Sequence, residues 1–190
     1  MKILNLYAGI GGNRKLWGSE HDITAVEINV KIAGQYKNNF PDDKVIIADA
    51  HEFLRANFRD FDFIWSSPPC PTHSTLQMFR YHEKDLKYPD MTLYQEIILL
   101  KNFFKGDWIV ENVRPYYKSL IPPDFVLGRH FFWSNKIIAE ADFKENKAYM
   151  RKKDELNTLK KEYGLDGNRL MLRNCVKPEI GKYIFDKIFK

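Results

Sequence analysis

Apolar and polar positions alternate in short blocks along the first two thirds of the chain. Apolar runs of strand length fall at residues 3–6, 23–26, 45–47, 61–65 and 108–110. Each is followed within a few residues by a glycine, a proline or an acid: Gly9, Glu27, Asp49, Pro68 and Glu111. Between them, residues 30–38 and 91–104 space their apolar side chains as helices do. This alternation predicts an α/β protein with a mostly parallel sheet and helices packed on it. Beyond Pro122 the rhythm changes. Residues 125–126 and 131–138 read as further strands, residues 144–163 as a charged helix, 164–168 as a loop, and 177–189 as a final amphipathic helix with Pro178 in its first turn.

Open parallel sheets bind ligands beyond the carboxyl ends of their strands. Gly9, Glu27, Asp49, Cys70 and Glu111 all fall just after predicted strands, so five chemically loaded residues are expected along one edge. Ala8-Gly9-Ile10-Gly11-Gly12 forms a glycine-rich turn after the first strand, with no Lys-Ser or Lys-Thr pair behind it to clamp a phosphate. Glu27 suits the two hydroxyls of a ribose. Asp49 suits an adenine amino group, or else caps a helix beginning near Ala50. In Ser66-Ser67-Pro68-Pro69-Cys70-Pro71, three prolines forbid a central strand or a helix interior. The segment is therefore a stiff loop, and Cys70 is a candidate nucleophile whose thiolate a nearby cation such as Arg129 would favour. Burial would raise the carboxyl pKa of Glu111 and let it carry a proton near neutrality; its other reading is a helix cap.

Charge adds one asymmetry. Residues 1–140 carry 17 basic and 17 acidic side chains, whereas residues 141–190 carry 13 and 8, which accounts for the whole net charge of +5. A basic C-terminal part on a neutral body suits a polyanion, or a solvated lysine-rich helix face. Two cysteines make a poor disulfide framework and no zinc site. No metal is expected at His73 or His82. No apolar run is long enough to span a bilayer, and Asn5, Asn13, Arg14 and Lys15 interrupt any signal-peptide layout at the start, so a cytoplasmic protein with no membrane partner is expected.

The ordered motifs resemble those of the cytosine-5 DNA methyltransferases. Asn5-Leu6-Tyr7-Ala8-Gly9-Ile10-Gly11-Gly12 is similar to the family's first cofactor motif, Pro69-Cys70 to its Pro-Cys loop, Thr92-Leu93 to a short helical motif, Glu111-Asn112-Val113 to its Glu-Asn-Val triplet, Arg129 to its arginine motif, and Arg173-Asn174-Cys175-Val176 to its last motif. The resemblance implies a Rossmann-like fold and S-adenosylmethionine as cofactor. It implies a cofactor site of Tyr7, Ala8, Gly9, Gly11, Gly12, Glu27, Ile28, Asp49, Ala50, Pro68, Leu93, Asn174 and Val176, with Tyr7 stacking near the adenine. It further implies DNA as partner, a flipped cytosine, attack of Cys70 on carbon-6, support of the ring by Glu111, and Arg129 at the cytosine carbonyl or beside Glu111. His73, Ser74 and Arg80 of a lid-like loop over residues 71–90, and Lys152 and Lys153 of the basic segment, are the expected nucleic-acid contacts.

The chain departs from the pattern at Asn5 (usually Asp), Pro71 (usually Gln), His73 (often Phe) and Arg173 (often Gly). Residues 134–172 are all that stands in place of a target-recognition region, which implies short or relaxed sequence specificity with phosphate contacts from the basic segment. The expected organisation is a catalytic and cofactor-binding part at 1–140, a small basic segment at 141–172, and a helix returning to the body at 173–190, in a monomer suited to a bacterial or bacteriophage genome. A cytosine methyltransferase acting on transfer RNA, an inactive relative that only binds nucleic acid, an amino-group methyltransferase, and a nicotinamide dehydrogenase are the competing readings. An amino-group methyltransferase would want an aromatic where Cys70 stands and leaves Glu111-Asn112-Val113 unexplained, and a dehydrogenase leaves Cys70 without a role.

Overall fold

The computed structural model describes residues 1–79, 87–143 and 155–189. Seven strands form one sheet: β1 (Lys2–Leu6), β2 (Asp22–Val26), β3 (Lys44–Ile46), β4 (Phe63–Ser66), β5 (Asp107–Val113), β6 (Phe125–Leu127) and β7 (His130–Ser134), in the order β3-β2-β1-β4-β5-β7-β6. β1 to β5 are mutually parallel, and β7 runs antiparallel to both β5 and β6. The helices are α1 (Val30–Asn39), α2 (Ala50–Asn57), the short α3 (Leu76–Phe79), α4 (Thr92–Phe103), α5 (Glu155–Tyr163), α6 (Arg169–Arg173) and α7 (Pro178–Phe189). The predicted mostly parallel α/β sheet is present, with helices on both faces.

Side chains alternate between faces along each strand, and the two faces bury different helices. Leu4, Leu6, Val26, Ile64, Trp108 and Val110 pack with Leu54 of α2 and Leu93, Ile97 and Leu100 of α4. Ile3, Ile23, Phe63, Trp65 and Ile109 face Ile180, Ile184 and Phe185 of α7, where Trp17 stacks on Phe185 at 5.3 Å between ring centroids. Ala25 continues that second face toward Tyr36 of α1 and Phe40 just after it, which pack with Leu159 and Tyr163 of α5 and Leu172 of α6.

β5 is longer than its apolar run predicts. Pairing with β7 carries it to Val113, in register with His130, so Glu111 and Asn112 lie inside the strand instead of after it. No helix follows Glu111, and the helix-cap reading of that residue falls. Asp49 does cap α2, its Oδ1 accepting the Glu52 amide at 3.0 Å.

The sheet reverses its winding between β1 and β4, and the crevice at such a switch point is where ligands sit. The glycine turn follows β1 and the cysteine loop follows β4, so both motifs border it. α7 is held to the body by Trp17, whose Nε1 donates to the Gly181 carbonyl at 3.3 Å. A Cβ at Gly181 would lie 2.2 Å from the Asn13 carbonyl oxygen. Gly181→Ala is therefore expected to lower stability by about 1–3 kcal/mol through overpacking, read as a shift in the urea midpoint at unchanged slope.

Candidate active site

The turn after β1 begins under an unusual constraint, because Tyr7 holds a left-handed backbone conformation at φ 53°. Tyr7 lines a cavity together with Ala8, Gly9, Ile10, Gly12, Asn13, Ile32, Ser67, Glu111, Met171, Asn174, Cys175 and Val176. Gly9 has φ 56°, and a Cβ there would meet nothing within 4 Å, so the backbone presents open space to a ligand. Gly12 is crowded instead: a Cβ would fall 2.4 Å from the Val176 carbonyl oxygen and 2.6 Å from Cys175 Cβ. The bare backbone at Gly12 is what lets the segment after α6 close the cavity wall. Gly11 turns to the ring of Tyr36 in α1 and that of Phe40 just after it and packs there, outside the cavity lining.

The remaining predicted cofactor residues lie along the same edge. Glu27 accepts the Gly9 amide at 3.1 Å on one oxygen and the Asn29 amide at 2.9 Å on the other, tying the glycine turn to the start of α1. Each oxygen keeps a second lone pair for a hydroxyl. Ile28 is 64 % exposed beside it, an apolar surface free to cover a flat ring. Ala50 and Leu93 are buried in the layer against which Tyr7 packs, and Pro68 is buried beneath the cysteine loop. The open space at Gly9, the Glu27 carboxylate and the exposed Ile28 are a chemically suitable cradle for a nucleoside bearing a small charged tail.

Cys70 is half-buried and unbridged. Its loop is tethered from several sides. Asn112 Nδ2 donates to the Pro68 carbonyl at 3.0 Å, the Cys70 carbonyl accepts the amides of His73 and Ser74 at 3.0 Å each, and Gln77 Nε2 donates to the Pro71 carbonyl at 2.6 Å. His73, predicted as a nucleic-acid contact, is only 1 % exposed; its Nδ1 is 2.6 Å from the Tyr117 hydroxyl, and it anchors the loop instead of facing outward. Ser74 is half-buried and bridges to Pro115. Arg80, Lys152 and Lys153, with His82, lie outside the described residues. Lys160 of the basic segment pairs with Asp166 at 2.9 Å.

Glu111 stands inside β5 with its carboxyl toward Cys70. Burial raises its pKa to about 7, against the opposing pull of the Ser67 hydroxyl bond and the Arg129 charge. The same Ser67 hydroxyl accepts from Trp65 Nε1 at 2.9 Å. Burial and the Glu111 charge push the Cys70 thiol up, and Arg129 pulls it down. Arg129 thus comes close enough to favour the thiolate, as its place in the sequence allowed, but burial outweighs it. Cys175 is the inert contrast: burial raises its thiol to about 12, and its Sγ lies 3.3 Å from the Met171 carbonyl.

Two buried groups escaped the sequence reading. His130 shares its strand face with Phe132, which opposes Glu111, and this places Nε2 3.7 Å from Glu111 Oε1. Burial lowers its pKa to about 3, so it stands neutral beside that carboxyl. Glu96, on α4, is fully buried and accepts from Tyr7, His51 and Ser66. Only the pairing of β7 with β5 and the packing of α4 reveal these neighbours. Among the described residues, no group of three or more His, Cys, Asp and Glu side chains could hold a metal, and no helix is long and apolar enough to cross a membrane.

A switch-point crevice bordered by a glycine turn, a ribose-type carboxylate and a cysteine-acid pair defines a doubly wound nucleoside-binding α/β protein. The sequence model of the C-5 cytosine-specific DNA methylases matches residues 1–119, and the chain belongs to this family. The tRNA (cytosine(38)-C(5))-methyltransferase of Spodoptera frugiperda is 31% identical over 135 residues, 66% of this chain and 39% of that protein. The chain thus spans 39% of the length of that curated relative. A crystal structure of a DNMT2 mutant from the same organism aligns with TM-score 0.43 and 29% identity, over 63% of this chain and 37% of the other. The Entamoeba histolytica methyltransferase EhMeth aligns with TM-score 0.45 and 15% identity, over 80% and 60%. The cofactor that family membership implies is S-adenosylmethionine, and the open glycine backbone and the carboxylate of Glu27 fit it.

The raised pKa of Glu111 has a sign that can be checked. Between the ordinary carboxyl value of 4.5 and about 7, the folded protein holds a proton that the unfolded chain has released. The neutral form's advantage is therefore fully present below 4.5 and is lost as pH rises through about 7, an upper limit of about 3 kcal/mol. Glu111→Gln removes this loss. The variant is expected to melt higher than the native protein at about pH 8 and close to it at about pH 5, by thermal denaturation.

Proposed function

We propose that this protein transfers a methyl group to carbon-5 of cytosine in DNA through a transient covalent bond between Cys70 and carbon-6 of a flipped base. The observation that carries the reading is the electrostatic contact of Cys70 with Glu111 beside a cavity that reaches the glycine turn. Bound S-adenosylmethionine supplies the methyl group; the chain's residues make the base able to accept it. Carbon-5 of cytosine is a poor nucleophile until carbon-6 is attacked. Cys70, half-buried, gives up its proton to solvent water, and its sulfur bonds to carbon-6. Glu111 in its protonated form donates a hydrogen bond to ring nitrogen 3 and offers its other oxygen to the amino group. Electron density then reaches carbon-5, which would take the methyl group as the donor's sulfur–methyl bond breaks, its electron pair returning to sulfur in neutral S-adenosylhomocysteine. Loss of the carbon-5 proton and departure of the Cys70 sulfur restore the aromatic ring.

The proton on Glu111 serves twice in this scheme. It supplies the hydrogen bond to the ring, and it removes the negative charge that opposes the Cys70 thiolate. Asn112 positions the loop through Pro68, and neutral His130 stands by Glu111 without adding a second cation to Arg129, which we place at the cytosine carbonyl or beside Glu111. Glu27, Ile28 and Asp49 would hold the adenosine half of the cofactor, and Asn174 and Val176 would close the wall by Gly12. Base contacts by Ser74 and Arg80, and phosphate contacts by Lys152 and Lys153, complete the reading, with short or relaxed sequence specificity.

One observation favours a second reading, cytosine-5 methylation of RNA: the curated relative is named for transfer RNA. Both readings are tested together. The protein is incubated with S-adenosylmethionine and either duplex DNA or transfer RNA containing 5-fluorocytosine, whose fluorine blocks the final elimination. A denaturation-resistant adduct is expected with DNA, and none with Cys70→Ala. An adduct with RNA alone moves the substrate to RNA, and no adduct with either overturns the proposal.

A further inference from the structure

Glu96 is the most enclosed carboxylate near the cavity: it is 0 % exposed, and neither oxygen is idle. Its Oε1 accepts the Tyr7 hydroxyl at 2.6 Å and lies 3.1 Å from His51 Nδ1; its Oε2 accepts the Ser66 hydroxyl at 2.5 Å. These partners come from three places along the ligand edge. Tyr7 opens the glycine turn and lines the cavity, His51 lies in the first turn of α2 two residues after Asp49, and Ser66 ends β4 just before the cysteine loop. The Tyr7 backbone is in the left-handed region, where a tyrosine does not rest without a hold. The bond to Glu96 holds the side chain, while the Ala8 amide, donating to the Val26 carbonyl at 3.0 Å, holds the backbone next to it.

Resting on the donor site proposed above, we propose that Glu96 is a positioning residue for the methyl donor, which fixes Tyr7 in the cavity wall and makes donor affinity depend on the charge of His51. One oxygen serves both Tyr7 and His51. An imidazolium at His51 draws the charge of Oε1 toward itself and weakens the acceptor that Tyr7 uses. Loss of that proton returns the oxygen to Tyr7 and tightens the wall.

The charged groups around His51 are Glu96 from α4 and Glu52 and Asp49 from its own helix. The Glu96 bond raises the imidazole above its ordinary value, with burial acting against it. His51 therefore titrates above its reference value of 6.5. Donor affinity rises with pH through that window, and by linkage a bound donor lowers the proton affinity of His51. Burial and the Glu96 charge push the Tyr7 hydroxyl far above its ordinary value, so Tyr7 stays a donor throughout.

The test is calorimetric titration of the full chain with S-adenosylhomocysteine, a neutral probe that needs no turnover, between about pH 6 and about pH 8.5. The native protein is expected to bind several-fold tighter at the high end. His51→Asn is expected to bind at the native high-pH level across the range when both proteins are compared in a Glu111→Gln background, since Glu111 lines the same cavity and itself titrates at about 7. Glu96→Gln keeps an oxygen for Tyr7 but loses the ion pair; it is expected to bind more weakly, with a flat profile. Tyr7→Phe should bind more weakly at every pH, with circular dichroism unchanged. A flat native profile, or a slope that survives in both His51→Asn and Glu96→Gln, overturns the inference while leaving the methyl-transfer reading intact. Absence of binding by the native protein sinks the donor site itself, and the inference with it.

Discussion

Asn112 donates one side-chain hydrogen to the carbonyl of Pro68, and the geometry of the site follows from that bond. Pro68, Pro69 and Pro71 have no amide hydrogen to give, so the segment that carries Cys70 cannot knit itself into the sheet. It must be held from outside. Asn112 does so from the neighbouring strand, and because Glu111 precedes it in the same strand, fixing the loop also fixes the sulfur against the acid. The amide of Asn112 is 1 % exposed, and its oxygen accepts the Val113 amide, so both ends of the side chain are committed. A buried polar group with full partners behaves as a rigid strut.

Burial is the second determinant. The same enclosure that raises the Glu111 carboxyl raises the Cys70 thiol, so the resting pocket discourages charge on either group. Arg129 is the counterweight to both, and His130, neutral beside Glu111, adds none.

Much of the fold was legible because parallel strands buried on both faces read as plain apolar runs, and because every crossover in the first half is marked by glycine, proline or acid. The site edge was legible for the same reason: Gly9, Glu27, Asp49 and Cys70 each follow a strand. What was missed depended on partners far away in sequence. The extension of β5 to Val113 comes from β7, so Glu111 and Asn112 were placed one element too late. His73 looked like a surface contact because its neighbours are polar, yet Tyr117 draws it inward. Glu96 sits in an ordinary helical stretch, and nothing in the local pattern distinguishes it from a solvated acid until Tyr7, His51 and Ser66 are seen around it.

The bare backbone at Gly12 has a consequence for how the molecule comes into being. Its close neighbours, Cys175 and Val176, are translated long after the turn they complete. A growing chain can pair its first strands and still lack one wall of the cavity, and so cannot retain its small-molecule ligand during synthesis. Ligand capture is thereby deferred until the segment after α6 has been made. From then on the bound ligand stabilises the folded form by mass action, and a ribosome-stalled fragment ending before α6 gains nothing from it.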